Sequence, residues 1–177
     1  MSKKSFQDKC SKSALKICIK DRSVKSLSRF NLSADKLRKM KTLTIKTTGE
    51  RFYSITPEIL KELPHLLSSQ NASGILFLYC PHTSCSLTIT ESFEDSAVKD
   101  MQEFLKRVAP RNAPFITHTT EGEDDAPSHM KSILLQTTLT MIVEQGKLQM
   151  GQWQGIFLCE FRDDPKSRQI WLKFIEG

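Results

Sequence analysis

The sequence predicts a single compact α+β domain over residues 41–177, an antiparallel or mixed sheet with packed helices. Strand-like and helix-like runs follow one another without a regular βαβ repeat, which excludes a doubly wound parallel sheet. A chain of 177 residues has room for one buried core and not for two ordinary domains with linkers. Charge divides the chain in two. Residues 1–40 carry twelve Lys and Arg against Asp8, Asp21 and Asp35, a balance of +9, whereas the remainder holds fourteen basic and seventeen acidic side chains, a balance of −3.

The Ser/Lys-rich extension 1–40 lacks Gly and Pro and has only weak periodicity. It reads as a disordered basic arm, a partly helical surface element, or residues upstream of the true translation start, in each case without a catalytic role. Phe6 and Phe30 are its only aromatics, too few for a base-stacking platform, so nucleic acid is not an expected partner. Five cysteines (Cys10, Cys18, Cys80, Cys85, Cys159) at irregular spacing do not form a secreted disulfide framework. Reduced thiols in a cytoplasmic protein are expected. No run reaches the roughly 18–20 apolar residues of a spanning helix, and the N-terminus lacks the apolar core of a signal peptide.

Order is expected from Lys41. The β-branched alternation of Thr42–Thr48, the turn Gly49-Glu50 and the run Arg51–Ile55 predict a hairpin. Thr56-Pro57-Glu58 opens a helix with Thr at the cap, a stripe of Ile59, Leu60, Leu63, Leu66 and Leu67, and Pro64 to bend or shorten it. Gly74–Cys80 is a continuous apolar run of strand length, expected to be buried on both faces, and Pro81 stops it. Ser86–Thr90 alternates as a nearby strand. Glu94–Val108 is the clearest helix, with Val98, Met101, Phe104, Leu105 and Val108 on one face. The acidic stretch Thr119–Pro127 is a loop ending in a helix start, where Asp125 can cap and Pro127 fits the first turn. Ser128–Gln136 continues that helix. Thr137–Val143 is a strand that turns at Glu144–Lys147 and returns over Leu148–Gln152. Gly155–Phe161 and Arg168–Ile175 form a last hairpin around Asp163-Asp164-Pro165.

Three of the four histidines fall at element ends beside small polar or acidic residues, whereas His65 lies mid-helix. His82 stands at the mouth of the apolar strand, and His118 and His129 bracket an acidic loop that can return them to the same lip. Three neutral imidazoles with an open position suit Zn²⁺ or a similar divalent ion, with Glu121, Glu123, Asp124 and Asp125 as carboxylates to orient the rings. A histidine taken alone is more often a surface or hydrogen-bonded structural residue than a metal ligand, and the spacing of His118 and His129 matches no compact metal motif.

Several motifs in series resemble one family. They are His82-Thr83-Ser84 with Ser86-Leu87-Thr88-Ile89 and Glu91; His118-x-x-Glu121-Gly122-x-Asp124-Asp125-x-Pro127-x-His129; and Gly151-x-Trp153-Gln154-Gly155-Ile156 with Glu160 and Arg162. Together with the opening TLTIKTT they are similar to the YjbQ family, also called secondary thiamine-phosphate synthase, from about Lys41 to Gly177. The resemblance implies a small α+β fold assembled as a homotrimer, with a histidine-rich site near the subunit boundaries. It implies thiamine-phosphate synthase activity, secondary to an unknown primary one, on small phosphorylated substrates. Carried over by position, His82, His118 and His129 are the metal-type histidines for a divalent ion, Zn²⁺ or Mg²⁺. Asp124 would orient a histidine or act as base, Glu91 would position substrate, and Ser84 and Arg162 would bind an oxyanion. Ser92 replaces the usual Asn after Glu91, and Ser128 replaces a common Ala. Trp153-Gln154-Gly155 is open to a pocket or a core role, and Glu160 with Arg162 to a phosphate-facing pair or a surface ion pair. Cys85 beside His82 invites a nucleophile reading, but its position looks substitutable in the family pattern. The alternative to the enzyme is a non-catalytic trimeric module that binds a metal or small ligand.

Overall fold

The computed structural model describes residues 40–177. The basic extension therefore lies outside the described residues except for Met40, which already belongs to the first strand. The elements are β1 (Met40–Thr47), β2 (Arg51–Ser54), α1 (Thr56–Leu66), β3 (Gly74–Tyr79), β4 (Cys85–Glu91), α2 (Asp95–Val108), α3 (Asp125–Leu134), β5 (Thr138–Glu144), β6 (Lys147–Leu148), β7 (Gln154–Glu160) and β8 (Lys166–Glu176). They build two sheets, one in the order β1-β8-β3-β5-β6 and one in the order β2-β7-β4. Every strand pairing among the described residues is antiparallel. No described helix is long and apolar enough to cross a membrane.

Two expected hairpins are instead corners between the sheets. β1 pairs along its length with β8, while β2 pairs with β7 in the other sheet. The same exchange separates β7 from β8. In a sandwich the chain changes sheets where both flanking strands must turn apolar faces to one interior. The two corners touch: Gly49 has φ +143°, and a Cβ there would lie 3.0 Å from the Asp163 carbonyl oxygen. The expected β5–β6 hairpin is present, although β6 is only two residues long.

The main core lies between the sheets. Leu76, Leu78, Met141, Leu139, Ile170 and Leu172 face Leu87, Ile156 and Leu158, and α1 adds Ile59, Leu63 and Leu66. The chain ends α1 just short of the last residue of its apolar stripe, two residues past Pro64. Thr56 does not cap this helix; its hydroxyl accepts the Ile156 N–H at 2.8 Å and ties the helix start to β7.

The apolar run of β3 predicts burial on both faces, but only Leu76 and Leu78 are buried, while Ile75 and Tyr79 are exposed. The strand buried on both faces is β7. Its Ile156 and Leu158 enter the main core, and Phe157 and Cys159 enter a second core with Phe52, Leu105 and Phe161 beneath α2. α2 covers that face with Val98, Met101 and Leu105, the i, i+3, i+7 stripe of a helix. Phe104 and Val108, expected on the same face, point to solvent.

Candidate metal centre and the adjoining pocket

α3 begins at Asp125, so His129 lies four residues later, one turn along the same face. His118 approaches from the loop before the helix. The structure brings together His118, Asp125 and His129, whose donor atoms all lie within 4.8 Å of one another. Nε2 of His118 is 2.7 Å from Oδ2 of Asp125, and Nε2 of His129 is 3.5 Å from Oδ1. Asp125 is buried, and its Oδ2 receives no hydrogen bond of acceptable geometry.

The tautomer of His129 follows from its other nitrogen. Nδ1 lies 2.8 Å from the Thr83 carbonyl oxygen, which can only accept, so Nδ1 carries the proton. In the neutral ring Nε2 then turns a lone pair toward a carboxylate. That juxtaposition is repulsive unless a proton or a metal ion stands between them. A buried carboxylate with one orphaned oxygen, approached by an imidazole nitrogen at each of its two oxygens, forms a donor set that fits a divalent cation.

Arg162 does not meet this site as a free cation. Its Nε donates to Asp124 Oδ2 at 2.9 Å, Nη1 to Asp125 Oδ1, and Nη2 to the Glu121 carbonyl at 2.8 Å. It is therefore a positioning residue that pins the acidic loop to the end of β7. Asp124 shares that role, since its Oδ2 also accepts the Asp163 N–H at 2.9 Å. Burial alone would raise the Asp124 carboxyl, but the Asp163 N–H and the Arg162 guanidinium offset this and hold it below the ordinary carboxylate value. The carboxylate between the histidines is thus Asp125 rather than Asp124. Ser128, in place of a common Ala, is fully buried and satisfied by donating to the Asp125 carbonyl at 2.6 Å.

His82 is not in the cluster. Its Nε2 accepts the Gln169 N–H at 2.9 Å, and burial followed by the nearby Arg168 charge lowers its pKa. It lines a separate open cavity of about 450 Å³ with Thr83, Ser84, Cys80 and Arg168. Thr83 joins the two sites, lining the cavity while its carbonyl holds His129. Arg168 donates from Nη2 to Ser84 Oγ at 3.0 Å and grips Glu160 through Nε and Nη2 at 2.7 and 2.6 Å. Glu160 is therefore neither a surface ion-pair member nor a partner of the Arg162 side chain. Ser84 and Glu91 bracket β4, which separates them by roughly 20 Å in one chain. Near Glu91, Ser92 N–H donates to the Trp153 carbonyl at 2.9 Å. Gly155 serves packing there, since a Cβ would lie 2.5 Å from Ser92 Cβ.

Asp125 and Arg168 carry more of this architecture than sequence reasoning assigned them. The spacing of Asp125 and His129 was a usable signal for a shared helix face. So was Arg168 in period-two register with Ile170 and Leu172, because an arginine on an inward strand face requires a buried anion.

The family model described as UPF0047 protein YjbQ-like matches residues 41–177. The chain is 41% identical over 130 residues to the UPF0047 protein YjbQ of Escherichia coli O157:H7, covering 73% of this chain and 92% of that protein. It is 36% identical over 137 residues to YugU of Bacillus subtilis, covering 77% and 98%. Among solved structures, a conserved hypothetical protein of Thermus thermophilus superposes with a TM-score of 0.67 at 32% identity, covering 76% of this chain and 99% of that one. A YjbQ/UPF0047 protein of Clostridium acetobutylicum does so with 0.67 at 30% identity, covering 76% and 99%. The antiparallel α+β architecture and this similarity along the whole described domain agree, and the chain belongs to the YjbQ (UPF0047) family.

Proposed function

We propose that His118, Asp125 and His129 hold a divalent metal ion and that the chain acts on a small phosphorylated substrate bound in the neighbouring His82–Ser84 cavity. The observation that carries this is the buried Asp125 carboxylate between two imidazoles, its donorless Oδ2 facing His118 and its Oδ1 facing His129, whose tautomer is fixed by Thr83. A bound divalent ion would supply Lewis-acid stabilisation of phosphoryl oxygens. Ser84 Oγ accepts from Arg168, so its O–H remains as a donor for an oxyanion. Arg162 and Asp124 hold the acidic loop in place.

The reaction we assign is of the thiamine-phosphate synthase type, secondary to another activity, in which a pyrimidine diphosphate joins a thiazole phosphate and pyrophosphate departs. Support comes from the family resemblance and from an anion-suited cavity beside the metal centre. Assembly as a homotrimer belongs to the same proposal. It would cover the apolar outer face of the five-stranded sheet and offers a way for Glu91 of one copy to approach the site of another. The commitment of Arg162 to carboxylates favours, as the second reading, a module that binds a metal or small ligand without catalysis.

The test uses full-length protein purified without a metal-affinity tag. Bound metal and synthase turnover are measured for the wild type and for His129→Ala. Near-stoichiometric metal and measurable product, both lost in the variant, are expected. Metal lost without any wild-type turnover would select the binding module, and metal content indifferent to His129 would refute the centre.

A further inference from the structure

The His82–Ser84 segment is bracketed by two cysteines. Cys80 follows the last residue of β3 and Cys85 opens β4, and their sulfurs lie 3.4 Å apart. A disulfide requires about 2.0 Å, so roughly 1.4 Å of approach would close it. Both thiols are buried, yet they are not equivalent. Cys80 forms part of the wall of the open cavity, whereas Cys85 stands behind it. The third cysteine of the described residues, Cys159, is buried on β7.

We propose that Cys80 and Cys85 are a reversible dithiol–disulfide pair, oxidised by a hydroperoxide that enters the cavity, whose closure locks the segment carrying His82, Thr83 and Ser84. Cys80 is the attacked residue because it meets the cavity. Its sulfur takes the distal oxygen of the hydroperoxide; the O–O bond breaks and an alcohol, or water from hydrogen peroxide, leaves with the thiol proton. Cys80 is then a sulfenic acid. The Cys85 sulfur attacks it, the S–O bond breaks, and water departs carrying the Cys85 proton. Two thiols and one hydroperoxide thus give one disulfide, one alcohol and one water, and a dithiol reverses the change by exchange. The six-residue ring contains Thr83, whose carbonyl anchors His129, so the oxidised segment bears on both the cavity and the histidine beside it.

The test is mass mapping of the full chain after exposure to hydrogen peroxide and alkylation of remaining thiols. One tryptic peptide, Glu62–Lys99, contains both Cys80 and Cys85 and no other cysteine. It is expected to lose the mass of two hydrogens, to resist alkylation, and to recover both thiols after dithiothreitol, while Cys159 stays alkylatable once the chain is denatured. Cys85→Ser should instead yield a sulfenic acid on Cys80 that dimedone traps. Alkylation of both cysteines in the peroxide-treated wild type would overturn the proposal. So would trapping on Cys85 in Cys80→Ser at the rate seen for Cys80, because the two sulfurs would then be equally reached.

Discussion

Arg168 reaches the fully buried Glu160 through two parallel hydrogen bonds, and the pair anchors Thr47, Ser84 and the end of β7 at one point. Thr47 Oγ1 donates to Glu160 Oε2 at 2.9 Å, and the backbone N–H groups of Phe161 and Arg162 donate to Oε1 at 3.1 Å. Removing one partner leaves a charge without its counterpart in the interior. Glu160→Gln should cost about 3–5 kcal/mol in chemical denaturation, the range for breaking a buried ion pair.

The same pair sets a pH dependence. Burial would raise the Glu160 carboxyl, but Arg168, the Arg162 N–H and Thr47 together bring it below its ordinary value of 4.5. With the folded pKa below the unfolded one, the unfolded chain binds more protons in that interval. The stability contributed is present above the ordinary value and is lost as pH falls through the folded one. The unfolding free energy should therefore fall less between pH 6 and about 3 for Glu160→Gln than for the wild type. An equal loss of stability in both would place the acid sensitivity elsewhere.

How much of this was legible beforehand depends on which partner a residue needed. Local signals sufficed for the helix of Asp95–Val108, where acids and an i, i+3, i+7 stripe lie close in sequence, and for the β5–β6 turn. They failed where the decisive partner was remote. Gly49-Glu50 has turn chemistry whether the flanking strands pair with each other or with strands far along the chain, so the corner read as a hairpin. The apolar run of β3 gave no sign that α2 would cover β7 instead. Two of the three histidines expected together do meet, because a helix and the loop leading into it bring them back. His82 does not join them, since Gln169 on β8 captures its ring.

Lys131 presents a second buried charge. It is 2% exposed, 2.5 Å from Glu50 Oε1, and its Nζ lies 5.9 Å from the Phe161 ring centroid. Glu50 is shared with Arg111, which also forms two bonds to Asp163 around a cavity of about 480 Å³. Lys131→Met should destabilise by about 3 kcal/mol. Adding Glu50→Gln should return part of that loss, with a coupling energy of about 0.5–3 kcal/mol from the double-mutant cycle. Strict additivity would show that the two side chains do not interact.

The proposed metal centre makes Arg162 a residue whose loss is felt through others. Arg162→Gln keeps some hydrogen bonding but removes the charge that holds Asp124 and Asp125. Metal affinity measured by calorimetry should fall about 10–100-fold, as for removal of a group that orients ligands. His118→Ala should fall further, because a donor itself is lost. Unchanged affinity in Arg162→Gln with intact folding would remove its positioning role.

On the outer face of the five-stranded sheet, Ile142, Ile75 and Ile175 lie in register across β5, β3 and β8, at 63%, 40% and 42% exposure. Further along the same face, Tyr79 packs on Trp171 with ring centroids 5.5 Å apart. Between them lies Phe77, flanked by Thr140 and Lys173. Side chains on one face of a sheet form a continuous surface, and apolar rows of this kind are covered in stable assemblies. If the proposed homotrimer uses this face, a glutamate at its most exposed apolar point must be buried without a partner. Ile142→Glu should then dissociate the assembly in light scattering at micromolar concentration while the circular dichroism of the fold persists, since Ile142 belongs to neither core. A trimer that survives the substitution would place the subunit boundary on another surface.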